Sequence, residues 1–172
     1  MLYYRTRNNP EINANKLGGS FTLTDHNGQV FNSLSVKKKF KLLYFGFIHC
    51  PDVCPTALST LIQLINVLGD DAAKLQPIFI TIDPERDNIT SIKAYIEYFG
   101  EPLIGLTGTP TQIKQVAEQY KVYYAKADLN SKHYMMNHSS FLYLTDAKDR
   151  YITHFSYNSD INEMAVRIKS YF

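Results

Sequence analysis

The sequence predicts an α/β domain in which helices flank a central mixed β-sheet. Nearly continuous apolar runs at residues 41–48 and 77–82 have the length and composition of buried parallel strands. Apolar residues at helical spacing follow each run, and later alternating segments predict antiparallel strands and a last helix. The chain has 172 residues, of which 45% are hydrophobic and 20% charged, so one globular domain with a sizeable core is expected.

The first half of the chain contains clear turn and helix signals. Residues 21–24 and 29–31 are predicted to form a hairpin around the turn at residues 25–28. After the strand at 41–48, apolar residues recur at helical spacing as far as Gly69. They are Leu58, Leu61, Ile62, Ile65 and Leu68. The strand at 77–82 then ends at Asp83-Pro84.

The second half alternates between helices and short strands. Helices are predicted at 89–99 and 111–120, and strands at 122–125, 140–145 and 151–157. A turn at 146–149 joins the last two strands, and Ser159 is the predicted N-cap of a final helix. This order is typical of a thioredoxin-like fold with an N-terminal β-hairpin and further insertions.

Composition argues against nucleic acid as a partner. The net charge is only +2, so no broad basic surface is expected. The densest basic cluster is Lys37-Lys38-Lys39 with Lys41. We interpret it as a solvated loop with lysines that protect the edge of the sheet.

Residues 1–18 are predicted to be a linker that follows a membrane anchor absent from this chain. Tyrosines and arginines at residues 3–7, followed by a polar stretch, are typical of the edge of a membrane span. A soluble N-terminus fits the same residues equally well. No stretch within the chain approaches the ~20 apolar residues of a span. The domain proper is predicted at residues 19–172.

Cys50 and Cys54 are the only cysteines, and they lie where the first central strand meets a helix. The partial positive charge of a helix N-terminus favours thiolates at such a position. Pro51 and Pro55 place the start of the helix between them, so the sulfurs lie on a restrained turn. The pair can close a disulfide for redox exchange or hold a soft metal, and two inert buried thiols are the weaker interpretation.

A metal site would need a third ligand, and the chain has five histidines. His138 precedes an apolar strand, and a loop that enters a strand beside the first central strand can bring its imidazole to the cysteines. A histidine that is merely hydrogen-bonded is the commoner outcome. His49, next to Cys50, could lower a thiol pKa if it were charged. Asp83 is expected at the same edge of the sheet as the two cysteines.

A series of short motifs resembles the SCO/SenC family of copper-handling proteins, from about Gly19 to the C-terminus. The motifs in this chain are GSFTLTD at 19–25, YFGF at 44–47, CPDVCP at 50–55, TIDPERD at 81–87, GLTGT at 105–109, YKVYY at 120–124 and His138-Ser139 before FLYL at 141–144. Together and in this order they are highly specific.

The resemblance implies a membrane-tethered thioredoxin-fold domain that binds copper through Cys50, Cys54 and His138. Family members help to build the dinuclear copper centre in subunit II of cytochrome c oxidase. The copper domain of that subunit is therefore the expected partner, and another copper chaperone is a second candidate. Two sulfurs and one imidazole suit Cu(I), with Cu(II) as a further possibility, better than zinc, whose structural sites usually have four ligands. Asp83 matches a family aspartate near the site, so the resemblance implies that it adjusts the pKa of the thiols or contacts a partner. The alternative is that Asp83 only caps the Asp-Pro turn.

The resemblance leaves a second function open, because the same cysteines could reduce the thiols of the oxidase copper site as a thiol–disulfide oxidoreductase. Nothing in the sequence marks the peroxide pocket of a peroxidase. Lysines outnumber arginines and asparagine is abundant, as in AT-rich bacterial genomes. We therefore expect the periplasmic face of a bacterial inner membrane, with the mitochondrial inner membrane, facing the intermembrane space, as the alternative.

Two departures from the family pattern lie close to the expected ligands. Asn137 replaces a common aspartate, and its lost charge would lower copper affinity if residue 137 orients the imidazole. Ile48 replaces a common threonine near Cys50. Met135 and Met136 could assist copper transfer with their thioethers, although ordinary packing is the better interpretation.

Overall fold

A central mixed β-sheet organises the computed structural model, which describes residues 17–172 of the chain. The strands are β1 (Thr22–Asp25), β2 (Val30–Asn32), β3 (Phe40–Gly46), β4 (Leu75–Thr81), β5 (Ile104–Thr107), β6 (Tyr124–Lys126), β7 (Met136–His138), β8 (Phe141–Asp146) and β9 (Tyr151–Ser156). The helices are α1 (Val53–Leu68), α2 (Ile89–Phe99), α3 (Pro110–Gln119) and α4 (Ile161–Lys169). The predicted α/β class is confirmed.

Seven strands form the main sheet in the order β2-β1-β5-β4-β3-β8-β9, and β6 and β7 form a separate two-stranded ribbon. Strands β3 and β4 are parallel neighbours in which every residue is buried, as their continuous apolar runs predict. Strand β8 pairs antiparallel with the other side of β3. The predicted hairpin is confirmed as β1–β2, and it joins the main sheet through β5, a strand missing from the prediction.

Helix α1 packs against the sheet and carries the second cysteine near its start. Contrary to the expectation from the sequence, the segment Val53–Lys74, which includes the 3₁₀ turn after α1, is long and apolar enough to cross a membrane by length and composition. Leu58, Leu61 and Leu64 are completely buried within the domain, however, as in a core helix of a globular protein. The predicted N-cap of α4 was wrong by one residue, because the Asp160 carboxylate, and not Ser159, accepts a hydrogen bond from the Glu163 amide.

The interpretation of Lys41 as a solvated, edge-protecting lysine was wrong. Lys41 is completely buried in β3, and its Nζ lies 2.7 Å from Oδ1 of Asp149, which is also completely buried. The Ser33 hydroxyl donates to the second carboxylate oxygen of Asp149 at 2.6 Å. A paired carboxylate is what allows an ammonium group to occupy a central strand.

Of the predicted linker at residues 1–18, only Leu17 and Gly18 fall within the described residues. Gly18 forms an isolated antiparallel bridge with Arg150, and its amide donates to the Gln119 carbonyl. The rest of the predicted linker lies outside the part of the chain that the structure describes.

Candidate metal centre

The two cysteines lie at the carboxyl end of β3, where the chain turns into α1. Cys50 is in the connecting loop, and Cys54 is the second residue of the helix, which begins between the two prolines as predicted. The amide of Cys54 donates to Cys50 Sγ at 3.4 Å, so a free amide of the helix N-terminus points at this sulfur. The cysteines are not joined by a disulfide.

The pair of sulfurs shares one proton. A hydrogen bond from the Cys54 thiol, helped by backbone amides, outweighs burial and lowers the pKa of Cys50 to about 4. The hydrogen bond to Cys50, together with burial, raises the pKa of Cys54 well above its ordinary value. At neutral pH Cys50 is therefore a thiolate and Cys54 a thiol. Residue exposure follows the same division, at 8% for Cys50 and 0% for Cys54.

His138 reaches the sulfurs from β7, although the sequence predicted a loop at this position. Its Nε2 lies 3.6 Å from Cys54 Sγ, and its Nδ1 lies 2.8 Å from the Ser139 carbonyl oxygen. Since a carbonyl oxygen only accepts, Nδ1 carries the hydrogen and donates it. In a neutral ring, Nε2 then has its lone pair free and directed towards the cysteines.

Aromatic side chains fix the sulfur of Cys54 and the ring of His138. The completely buried Tyr44 donates its hydroxyl hydrogen to Cys54 Sγ at 3.4 Å. The His138 ring packs edge-on against Phe47 and Tyr44, with centroid separations of 5.7 and 6.3 Å. These contacts leave the imidazole little freedom to rotate away from the cysteines. No local signal in the sequence singled out Tyr44, which reads only as one apolar position of a buried strand.

The three donor atoms lie close enough together to be candidate ligands of one metal ion. One atom from each of Cys50, Cys54 and His138 lies within 4.8 Å of the other two. An ion held at about 2.0–2.3 Å from each ligand separates its donors by about 3.5–4 Å. The distance of 3.6 Å between Cys54 Sγ and His138 Nε2 is already of that size. Within residues 17–172 no fourth histidine, cysteine or carboxylate joins the group.

Asp87 is a residue of this site that the sequence-based reasoning missed. It is completely buried, and its carboxylate accepts from the Ile48 amide at 3.1 Å and from the Thr81 hydroxyl at 2.7 Å. Burial raises the pKa of Asp87, and these hydrogen bonds oppose the rise. The carboxylate therefore ties down the segment that leads to Cys50. The only sequence signal for Asp87 was its place at the end of the TIDPERD motif, in which only Asp83 was assigned to the site.

Asp83 lies at the expected edge of the sheet, but its carboxylate binds other groups than the sulfurs. Oδ1 accepts from the Tyr134 hydroxyl at 2.7 Å, and Oδ2 lies 2.5 Å from Arg86 Nε. His49 is also directed away from the thiols, since its Nδ1 lies 3.7 Å from Asp87. The low pKa of Cys50 thus arises mainly from Cys54 and backbone amides and not from His49.

The two departures from the family pattern affect the site less than their positions suggest. The exposed Asn137 lies between Met136 and His138 on β7, where side chains alternate, and the imidazole is oriented by the Ser139 carbonyl. Ile48 contributes its backbone amide, which a threonine at this position would donate equally well. Met136 is buried in the core, as the packing interpretation predicts, whereas Met135 is 42% exposed.

The remaining three histidines lie elsewhere. His26 accepts a hydrogen bond from the Gly105 amide at Nδ1. His133 is exposed in the loop before β7, and His154 Nδ1 lies 2.6 Å from the hydroxyl of Tyr151 on β9. None of them belongs to the cluster around the cysteines.

The chain is similar to proteins of one family over nearly its whole length. Residues 9–172 match the family model for SCO1/SenC. The SCO2-like protein of Rickettsia conorii is 44% identical over 151 residues, which cover 87% of this chain and 74% of the relative. The mitochondrial SCO2 of Saccharomyces cerevisiae is 45% identical over 147 residues, covering 84% of this chain and 49% of that protein.

A solved structure extends the similarity to three dimensions. Bradyrhizobium japonicum ScoI, determined with copper bound, superposes with a TM-score of 0.82 at 39% identity, covering 91% of this chain and 99% of that one. This agreement confirms the predicted thioredoxin-like fold.

Proposed function

Because the chain belongs to the SCO1/SenC family, we propose that it is a copper carrier for the assembly of cytochrome c oxidase. Family members bind copper and take part in that assembly. The observation that carries the proposal is the convergence of Cys50, Cys54 and His138 from segments far apart in the chain. Each of these side chains would supply one ligand to the copper ion.

The donor set suits Cu(I) as the main cargo. Two sulfurs and one imidazole nitrogen are soft or borderline ligands, and Cu(I) accepts three-coordinate sites of this kind. Cu(II) is a second form that the same ligands could hold. Structural zinc usually requires four protein ligands, and the described part of the chain offers three here. The thiolate of Cys50 and the free lone pair of His138 are available in the folded protein before copper arrives.

The cargo would be exchanged through the cleft beside Cys50. This cleft has a volume of about 500 Å³ and is lined by Cys50, His138, Tyr123 and Met135 among others. Tyr123 and Met135 are 63% and 42% exposed, so the rim of the cleft is accessible and partly apolar. Such a rim fits a partner domain that must come close enough to share a ligand with the ion. We propose that this partner is the copper domain of oxidase subunit II, with another copper chaperone as the donor.

The different protonation of the two sulfurs favours thiol–disulfide exchange as a second candidate function. The Cys50 thiolate would attack a disulfide of the partner, forming a mixed disulfide and releasing one partner thiolate. Cys54 would then lose its proton, with His138 Nε2 within 3.6 Å to accept it, and would attack the Cys50 sulfur. The partner leaves with both cysteines reduced, and this protein keeps the two-electron oxidation as a Cys50–Cys54 disulfide.

The proposed location follows from the same family. Relatives include mitochondrial Sco proteins and Rickettsia proteins. We propose that the domain is tethered to a membrane by a segment preceding residue 19 and faces the bacterial periplasm, with the mitochondrial intermembrane space as the alternative.

One experiment separates the two candidate functions. Copper-loaded protein is mixed anaerobically with the reduced copper domain of oxidase subunit II, and the reduced, metal-free protein with the oxidised domain, while metal and thiols are followed together. A carrier transfers copper to the reduced domain with no change in its own thiol count. A reductase converts its two thiols to a disulfide against the oxidised domain. Failure to transfer copper to the reduced domain would reject the carrier function.

A further inference from the structure

The loop of residues 83–87, which follows β4, contacts both halves of the candidate metal centre. On the cysteine side, Asp87 accepts a hydrogen bond from the amide of Ile48, two residues before Cys50. On the histidine side, Asp83 accepts a hydrogen bond from the hydroxyl of Tyr134, four residues before His138. One loop therefore holds the segment that precedes the sulfurs and the segment that precedes the imidazole.

Tyr134 lies at the centre of a cluster that joins this loop to the β6–β7 ribbon. Its hydroxyl oxygen is 2.7 Å from Asp83 Oδ1. The guanidinium carbon of Arg86 lies 3.6 Å from the centroid of its ring, and Lys126 Nζ lies 4.6 Å from the same centroid. Both cations also pair with carboxylates of the 83–87 loop, since Arg86 Nε contacts Asp83 and Lys126 Nζ lies 2.8 Å from Glu85. Cation–π contacts and charge-assisted hydrogen bonds thus act together on one ring.

The β6–β7 ribbon needs contacts of this kind because it is small. It pairs three residues on each strand, with Lys126 opposite Met136 and Tyr124 opposite His138, and it is separate from the main sheet. A two-stranded ribbon by itself is at best marginally stable in water. Contacts with the rest of the domain therefore determine where its last residue, His138, is held.

We propose that Tyr134 is a positioning residue for copper binding, which through Asp83 and Arg86 holds the ribbon so that His138 stays within reach of the two sulfurs. The inference rests on the proposed copper-carrier function. Without the phenol hydroxyl, the ribbon occupies its binding-competent position for a smaller fraction of the time. The apparent copper affinity then falls by the same fraction.

The test compares Tyr134→Phe with Tyr124→Phe. Each substitution removes one hydroxyl, from the segment just before β7 or from β6, but the Tyr124 hydroxyl makes no hydrogen bond to any residue between 17 and 172. Tyr134→Phe should lower the affinity for Cu(I) roughly 10-fold, as substitutions of groups that orient metal ligands do. Its Cu(II) form should also show a weakened nitrogen hyperfine splitting. In the metal-free protein, the Ala127 amide, which donates to the Met135 carbonyl, should exchange its hydrogen faster. Tyr124→Phe should match the parent in all three measurements.

A double-mutant cycle with His138→Ala distinguishes positioning from general destabilisation. If Tyr134 acts through the imidazole, Tyr134→Phe causes no further loss of affinity once His138 is alanine. A parent-like affinity for Tyr134→Phe, or a loss that persists in the His138→Ala background, would overturn the proposal while leaving the carrier function intact. A parent-like affinity for His138→Ala would instead reject the third ligand of the proposed function, and the positioning role with it.

Discussion

Cys54 Sγ and His138 Nε2 lie 3.6 Å apart, although 84 positions separate them in the chain. The contact forms because β8, which begins just after His138, pairs antiparallel with β3, which ends just before the cysteines. The imidazole is thus brought to the sulfurs by the register of the main sheet and by the short ribbon that precedes β8.

Removal of the imidazole should weaken copper binding sharply. We expect His138→Ala to lower the affinity for Cu(I) by about 100-fold, because it removes one of the three proposed ligands and leaves two sulfurs. Anaerobic titration against a competing chelator measures the change. His133→Ala is the matched control, since His133 is exposed and lies outside the cluster. Equal affinities for the parent and His138→Ala would exclude His138 as a ligand.

Cys50 should react with an alkylating reagent at a rate that is nearly constant between pH 6 and 8. Its pKa of about 4 means that the reactive thiolate is already fully formed in this range and is lost only as the pH falls through about 4. Cys50→Ser leaves only Cys54, whose sulfur is completely buried and out of reach of the reagent, and should stay unmodified. A rate that rises tenfold per pH unit up to pH 8 would show an ordinary thiol at position 50.

Gly46→Ala should damage the site as well as the core. An added Cβ would lie 2.8 Å from the Tyr44 ring and 2.9 Å from Cys54 Sγ, so both the ring and the sulfur must shift. We expect a loss of about 1–3 kcal/mol in the free energy of unfolding, together with weaker copper binding. Gly105→Ala serves as the control, because its Cβ would press on Ile96 and Ile92 instead. Gly105→Ala should lower the free energy of unfolding in urea while leaving copper affinity unchanged. A parent-like copper affinity for Gly46→Ala would contradict the expected displacement of the sulfur.

The buried ion pair of Lys41 and Asp149 should be costly to break on one side only. Lys41→Met leaves the Asp149 carboxylate buried without its cation, and we expect a loss of about 3–5 kcal/mol in the free energy of unfolding. The double variant Lys41→Met/Asp149→Asn removes both charges and should recover a large part of that loss. Asparagine tolerates the φ of 58° at position 149. Urea unfolding of the two variants checks the prediction, and an equal loss in both would show that the ion pair is not the cause.

The sequence predicted the elements whose pattern is local and sustained. Strands β3 and β4 were recognisable as continuous apolar runs, and α2 was predicted with its observed limits at Ile89 and Phe99. Strand β5 was missed because four residues, one of them Gly105, are too short to show a period. Lys41 was misjudged for a different reason, since its carboxylate partner comes from a turn far along the chain.

The candidate site likewise has residues that the sequence indicated and residues that only the folded structure brings together. Cys50 and Cys54 stand close together at a strand–helix junction, so their chemistry was visible without a structure. The position of His138 before a strand indicated only that its imidazole could reach the cysteines. Its role as the third ligand was implied by the family resemblance. The hydrogen bonds of Tyr44, Asp87 and Tyr134 could not be predicted, because each depends on a side chain brought near by the tertiary fold.

The single proton between the two sulfurs also determines the electrostatics of loading. A thiolate next to a thiol carries one negative charge, and two thiolates around a monovalent cation carry the same net charge. Exchanging the proton for Cu(I) therefore leaves the buried charge beside Tyr44 and Phe47 unaltered, and the apolar surroundings neither oppose nor drive the exchange. A divalent ion would instead make the centre neutral, so the polypeptide would have to accommodate a new electrostatic state each time the oxidation number of its cargo changed.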